Sequence, residues 1–381
     1  MNNQIEWKQL LISLKSLSNN EILKVLKYLP EFSIFLLLFL SYLYPRLHNP
    51  FLVSYAGLYM QISETIVQNK FSLPYSIAYY GPGGMPFTYP PLGFYLCAIV
   101  VKILDISVIT YARYFPVAFY TGSLITLYFL VRTITKNRAK GIITAFLYGI
   151  SNIGYLYHAE ESGMVRGLAL FFVFAGLIGF YYVLNEKPKN RYIILAILGL
   201  ACTALTSFTY LVFFLVSILV LIFFSSAKFM RRIKITLIIC AIAAFLTTPW
   251  FITIISRHGL KTIISAGGTH GGLFTFLRFT SFDSFFSNLL NIFYEWKGID
   301  ASMISLALIG VCYLLIQRKR LFPVWLIAIF FFVGENGRFL FVIGTAIAAE
   351  LIVDIFDQTL RRLPSIPIAL SNKVLWLFSI T

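Results

Sequence analysis

Pro86-Phe-Thr-Tyr-Pro-Pro-Leu92 runs directly into Gly93-Phe-Tyr-Leu-Cys-Ala-Ile-Val-Val-Lys-Ile-Leu104, and how this apolar run is placed decides the fold. By hydropathy it reads as a membrane span. It is short, however, follows a double proline and ends in Lys102 and Asp105. The basic residues decide the matter. Arg132, Lys136, Arg138 and Lys140 form one cluster, and Lys187, Lys189 and Arg191 another. Lys228, Arg231, Arg232 and Lys234 follow, then Arg318 to Arg320, then Arg361 and Arg362. If 92–104 crossed alone, all of these would lie outside the cell, against the preference of Lys and Arg for cytoplasmic loops. The run is therefore expected to be an interfacial helix on the outer face.

Working outward, the chain has 381 residues, 59% of them hydrophobic and 12% charged. Soluble domains carry roughly 25% charged residues. Apolar runs of about 14–22 residues recur, as a hydrocarbon core about 30 Å thick requires. Helices are the expected spans, because an unpaired backbone amide in lipid costs several kcal/mol. The fold class is all-α: a single polytopic membrane bundle over residues 1–381. About ten spans are expected, near 29–45, 112–131, 139–157, 164–184, 192–208, 209–226, 235–254, 302–317, 321–334 and 338–356. A Thr206-Ser-Phe-Thr209 break makes 192–226 two short helices or one kinked helix. Residues 1–30, with Lys8, Lys15, Lys24 and Lys27 among leucines, read as a cytoplasmic amphipathic segment. The N-terminus is then inside, with outer elements at 46–111, His158–Gly163, 255–301 and Gly334–Arg338. The net charge of +16 suits basic inner loops and gives no indication of nucleic acid. Cys97, Cys202, Cys240 and Cys312 lie in apolar segments without a CxxC pair, so neither disulfides nor a zinc motif is indicated.

One span, a large outer loop with Tyr59-Met-Gln-Ile62, then Tyr89-Pro-Pro-Leu92 and a membrane-parallel helix resemble the GT-C glycosyltransferases. The similar groups are the protein O-mannosyltransferase-like and aminoarabinose transferase-like enzymes. Pro249-Trp-Phe251 and Arg338 sit at corresponding places. The resemblance implies a multi-pass cell-membrane enzyme that moves a sugar from a polyprenyl-phosphate donor to an acceptor, at a site on the outer face. It also implies a catalytic Asp in the first outer loop. That position aligns with Tyr55, and Glu64 is the only carboxylate between Pro45 and Leu104. On a helix over 55–69, Glu64 shares a face with Gln61 and Gln68, while Tyr55, Tyr59, Ile62 and Ile66 share the other. Glu64 is expected to face solvent. Enzymes of this resemblance often continue with further helices or an outer soluble domain, so the chain is either a compact version or lacks an acceptor-recognising part.

His158, Glu160 and Glu161 are the candidate catalytic residues, because a transfer to a protonated acceptor needs a carboxylate to deprotonate or orient it. Two carboxylates beside a His also make a candidate site for Mg²⁺, Mn²⁺ or Zn²⁺, with Glu160 and Glu161 as ligands. Arg166, Arg257, His258 and Arg338 are candidates for holding the lipid phosphate, because a guanidinium forks two donors onto it. Tyr55, Tyr59 and Tyr89 are expected to line the substrate cavity. The glycine-rich Tyr79-Tyr-Gly-Pro-Gly-Gly-Met85 and Ala266-Gly-Gly-Thr-His-Gly-Gly272 read as a loop and a flap. Two other readings stand beside the enzyme: a non-catalytic relative that binds lipid-linked sugar, and a transporter. The transporter has only Glu350 and Asp354 as charges within a span.

Overall fold

The computed structural model describes residues 28–49, 51, 55–78, 84–160, 163–186, 189–268, 298–333 and 337–362. Most of residues 1–30, Tyr79 to Gly83, Glu161 and 269–297 fall outside them. The described chain is almost wholly helical. Helix α1 (Leu29–His48) is followed by α2 (Ala56–Gln68) and a two-residue hairpin, β1 (Ser76–Ile77) with β2 (Met85–Pro86), antiparallel with Ser76 opposite Pro86. Then come α3 (Leu92–Leu104), α4 (Val108–Thr135) and α5 (Arg138–Gly149). A short α6 (Asn152–Tyr155) and a π-helical turn (Leu156–Glu160) lead to α7 (Gly163–Asn185). The rest comprises α8 (Asn190–Ala204), α9 (Phe208–Phe224), α10 (Phe229–His258), α11 (Leu260–Gly268), α12 (Ile299–Ile316), α13 (Leu321–Phe332) and α14 (Gly337–Arg362).

Among the described residues, α4, α7, α10, α12 and α14 are long and apolar enough to cross a membrane. Helices α3, α8, α9 and α13 are apolar but shorter. The protein is a polytopic membrane bundle, and the expected spans other than 139–157 each overlap one helix. The run 92–104 is a helix of its own. Asp105 ends it in the left-handed region (φ 51°), and Ser107 caps α4 by accepting from Thr110 N at 3.2 Å. The Leu92 N–H donates to the Leu205 carbonyl at 2.8 Å, so α3 is anchored at the gap between α8 and α9. That gap, Leu205 to Ser207, resolves the 192–226 region into two helices.

The segment expected as one span at 139–157 is broken after Gly149, and side chains cause the break. Tyr42 OH donates to the Gly149 carbonyl. Tyr120 OH and Ser151 Oγ donate to the Tyr148 carbonyl at 2.9 and 2.7 Å. With these carbonyls taken, the helical ladder stops. Asp300, at the start of α12, then accepts the N–H groups of Asn152 and Ile153 at 3.0 and 3.1 Å and starts the next turn.

Two cores result. The main one packs α1, α4, α5, α7 to α10 and α12 to α14. Gly199 of α8 meets Gly176 of α7 so closely that a Cβ on Gly199 would lie 2.4 Å from Gly176 Cα. The second core joins α2 and α3 (Tyr59, Ile62, Phe94) to the start of α4, Met164 and Val165 of α7, and Trp250 and Ile254 of α10. Glu64 is exposed while Tyr59, Ile62 and Ile66 are buried, as the helical spacing requires.

Several residues of the basic clusters are buried. Arg138 pairs with Glu31 of α1, which also accepts Tyr128 OH at 2.9 Å. Lys140 pairs with Glu350 and, at 2.7 Å, with Asp354; Lys319 reaches Asp354 at 2.7 Å and Glu350 at 3.5 Å. Burying such charges is tolerable because each faces an opposite one. Glu350 and Asp354 thereby have structural partners on α5 and in the α12–α13 connection.

Candidate functional site

The π-helical turn is the centre of the site, and its residues point in different directions. His158 points inward and is completely buried. Its Nδ1 lies 3.0 Å from the Gly154 carbonyl, which can only accept, so Nδ1 carries the proton. Nε2 then accepts from Tyr210 OH at 2.7 Å. Tyr148 OH adds a longer contact to Nδ1 at 3.3 Å. Burial, together with the Arg338 charge, pushes the imidazole pKa down to about 3. His158 is a neutral post holding the turn against α5 and α9, with both ring nitrogens engaged.

Tyr157 carries the first cationic group. Arg166, one turn into α7, places its guanidinium 5.4 Å from the Tyr157 ring centroid and 5.6 Å from that of Tyr55. Arg338, in the first turn of α14 and buried, lies 5.3 Å from the same Tyr157 ring, 5.3 Å from Tyr210 and 5.1 Å from Phe339. Two cations share one aromatic ring, an arrangement that ring quadrupoles favour. Tyr55 ends the first-loop contribution here: it stacks on Tyr59 at 6.3 Å, and Tyr59 packs edge-on against Tyr89 at 6.1 Å.

Glu160 and Tyr155 carry the second group. Arg46, in the last turn of α1, places Nη2 2.9 Å from Glu160 Oε1, and Tyr155 OH donates to that oxygen at 3.3 Å. The guanidinium sits 5.9 Å from the Tyr155 ring, and Arg113 of α4 is within electrostatic range. Arg46 is buried, yet among the described residues neither its Nε nor its Nη2 has a well-aligned hydrogen-bond acceptor. The close Glu160 contact is therefore an ion pair by distance, without the directed fork of a strong one. A buried donor left this way costs about 1–3 kcal/mol.

The structure separates the expected phosphate-binding residues. Arg166 and Arg338 meet at Tyr157. Arg257 instead donates to the Leu73 and Pro74 carbonyls at 3.0 and 3.3 Å, and the His258 ring packs tilted against Tyr75, centroids 4.7 Å apart. These two fasten the C-terminal end of α10 to the loop before β1. Arg46 was missed by sequence reasoning, because α1 was expected to end before it. Its signal was an arginine after Pro45 in an apolar run.

For a metal, the described residues do not fit. Glu160 is taken by Arg46, His158 faces inward with its nitrogens engaged, and Glu161 lies outside the described residues. No group of three His, Cys, Asp or Glu gathers among the described residues.

Helix α9 presents two different faces. One face buries Tyr210, Phe213, Phe214 and Ser217. The other, with Phe208, Leu211, Val212, Leu215, Leu219 and Phe223 at helical spacing, lines an apolar groove of about 750 Å³. Phe251, Ile263 and Ile264 of α10 and α11 and Val324, Ala328 and Phe332 of α13 complete it. From Phe208 to Phe223 it extends about 22 Å at the helical rise. Its lining is almost wholly apolar, and the shielded Tyr210–Arg338 contact lies across the same helix.

No family model and no curated protein matches the sequence. Solved structures do match. An oligosaccharyltransferase, AglB of Archaeoglobus fulgidus, solved with an inhibitory peptide and a dolichol-phosphate, superposes with a TM-score of 0.60 at 13% identity over 92% of this chain and 54% of that one. The same archaeon's enzyme in complex with Zn and sulfate gives 0.60 at 14% identity, over 87% and 50%. ArnT of Cupriavidus metallidurans bound to undecaprenyl phosphate gives 0.56 at 15% identity, over 85% and 60%. The chain spans roughly half the length of these proteins. The fold is the GT-C fold of membrane glycosyltransferases.

Proposed function

We propose that this GT-C chain is a membrane glycosyltransferase that takes a sugar from a polyprenyl-phosphate donor and delivers it to an acceptor on the non-cytoplasmic side. The observation that carries the proposal is the two-sided α9. An apolar groove about 22 Å long is suited to a prenyl chain, and the Tyr157-centred pair Arg166 and Arg338 is suited to the phosphate at its head. Dolichol-phosphate and undecaprenyl phosphate bind two of the structural neighbours, which supports the donor class. The non-cytoplasmic placement rests on the basic inner connections and on the positive-inside rule.

In this reading Arg166 and Arg338 neutralise the charge that grows on the phosphate as the sugar leaves. Tyr157 and Tyr55 hold the two guanidinium groups in place. Tyr55, Tyr59 and Tyr89 present an aromatic wall to the sugar. Glu160, held by Arg46, is the carboxylate on the acceptor side, and Glu161 remains a candidate partner. No metal-dependent step is assigned.

The test uses purified full-length protein in lipid nanodiscs with a panel of undecaprenyl-phosphate-linked hexoses and pentoses. Wild type should release undecaprenyl phosphate from at least one donor. Arg338→Gln should lower that release at least tenfold, and Leu215→Trp, which fills the groove, should raise the donor KM. Neither donor binding nor release by wild type would refute the proposal. The second reading, a non-catalytic binder of lipid-linked sugar, is favoured by Tyr55 at the expected carboxylate position and by the Glu160–Arg46 pair. Donor binding with no release across the panel would establish it.

A further inference from the structure

The basic clusters of this chain are not all neutralised in the same way. Arg138, Lys140 and Lys319 are paired inside the bundle with Glu31, Glu350 and Asp354. The cations at the α7–α8 and α9–α10 connections have no such carboxylates. We infer that these two connections form one docking surface for the head group of an anionic phospholipid, at the end of α9 opposite Phe208 and the candidate site.

The two connections are fastened to each other. Ser225 Oγ donates to the Leu184 carbonyl at 2.6 Å, and the Ser226 N–H donates to Asn185 Oδ1 at 3.1 Å. Arg231 Nη2 crosses from α10 to the Glu186 carbonyl at 2.9 Å. The described residues of the joined surface include Lys189, Arg191, Lys228, Arg231, Arg232 and Lys234, with Glu186 as their one carboxylate. Arg232 is spent on the end of α9, donating to the Ile222 and Ser225 carbonyls. The other cations are exposed, and among the described residues none of them is ion-paired. Fixed positive charge gathered this way attracts an anion from outside the chain.

The apolar residues beside these charges say what kind of anion. At the start of α10, helical spacing sets Lys228, Arg231 and Lys234 along one stripe and Phe229, Met230 and Leu237 along the next. The apolar stripe is open: Phe229 is 50% exposed, Met230 75% and Leu237 63%. A soluble anion would use the basic stripe and leave the apolar one bare. A phospholipid uses both, with its phosphate on the cations and its acyl chains along the apolar side chains. On the α8 side, the Arg191 guanidinium lies 4.7 Å from the Tyr192 ring, which stacks on Tyr182 at 4.1 Å, an aromatic pair suited to head-group depth. Each Lys or Arg near an anionic lipid surface strengthens binding about fivefold.

The experiment titrates the full-length protein, in uncharged detergent micelles, with fluorescent phosphatidylglycerol and with matched phosphatidylcholine, read by anisotropy. Wild type should bind phosphatidylglycerol at least tenfold more tightly. Lys228→Gln/Lys234→Gln removes two side chains that form no hydrogen bond among the described residues, so the fold is not at stake. It should weaken phosphatidylglycerol binding at least tenfold and leave phosphatidylcholine within twofold. Arg361→Gln/Arg362→Gln removes the same charge from the last turn of α14 and should leave both affinities within twofold. Equal weakening by the two pairs would reduce the effect to the attraction of a basic protein and overturn the inference. A wild type with no preference between the lipids would make the surface a solvated one and do the same. Displacement of phosphatidylglycerol by glycerol 3-phosphate would assign the charges to a soluble anion, and displacement by undecaprenyl phosphate would place the lipid at the Arg166–Arg338 pair; either overturns the inference.

Discussion

Replacing His158 with Gln should remove a specific acid sensitivity from the fold. The imidazole is fully buried and neutral, with a pKa of about 3; in the unfolded chain it returns to the ordinary value of about 6.5. Below pH 6.5 the unfolded state therefore binds a proton that the folded state refuses. Stability is complete above the unfolded pKa and declines as the pH falls toward the folded one. At 1.36 kcal/mol per pH unit, the loss between pH 7.5 and pH 5.0 is about 2 kcal/mol. The Gln variant lacks the imidazole and leaves the Tyr210 hydroxyl and the Gly154 carbonyl imperfectly matched, so it should be less stable at pH 7.5 by about 1–3 kcal/mol. It should not suffer the further His-linked loss at pH 5.0. The assay is equilibrium unfolding in detergent, monitored by near-UV circular dichroism at both pH values. Equal losses in wild type and variant over that interval would refute the argument, as would a His158 resonance titrating near 6.5.

Other perturbations probe the frame around the site. Lys140→Met leaves the buried Glu350 only its longer 3.5 Å contact with Lys319 and should destabilise by about 3–5 kcal/mol, whereas Lys140→Met/Glu350→Met should recover most of that, because Asp354 keeps Lys319; a thermal-melt double-mutant cycle reads the difference. Gly199→Val drives a side chain into Gly176 and should cost about 1–3 kcal/mol or separate α7 from α8, visible as a lowered melting temperature. Asp300→Ala leaves the Asn152 and Ile153 amides uncapped and should cost about 1 kcal/mol, while Asp300→Asn, which keeps an acceptor, should cost less in the same melt.

The membrane architecture was legible because its causes are local or additive. Apolar runs fix the helices, 92–104 among them as a helix of its own, and helical spacing puts Glu64 outward and Tyr59 inward. The break at Gly149 was not legible. It depends on hydroxyls from Tyr42 and Tyr120, far away in sequence, reaching two carbonyls. The candidate site was legible only as a grouping, Arg166 with Arg338 near the 158–160 turn, because arginines at the ends of apolar helices stand out. It was illegible where function depends on side-chain direction. Within the short 158–160 stretch, a π-helical turn sends His158 into the core and leaves Glu160 beside Arg46. Sequence spacing carries no signal for that inserted turn. Arg257 and His258 looked equivalent to Arg338 for the same reason, yet their side chains are spent on a neighbouring loop.

The hydrogen bond from Leu92 N–H to the Leu205 carbonyl links the start of α3 to the short gap before α9. Helix α9 is the shared wall of groove and site, and α3 carries Phe94, on which Tyr59 and Tyr89 rest. The aromatic cluster on α3 and the groove-lining helix α9 are thus tied at a common point. On the proposed reading, a shift of α9 on lipid entry would be passed through this hydrogen bond to α3 and so to the tyrosines that pack on Phe94.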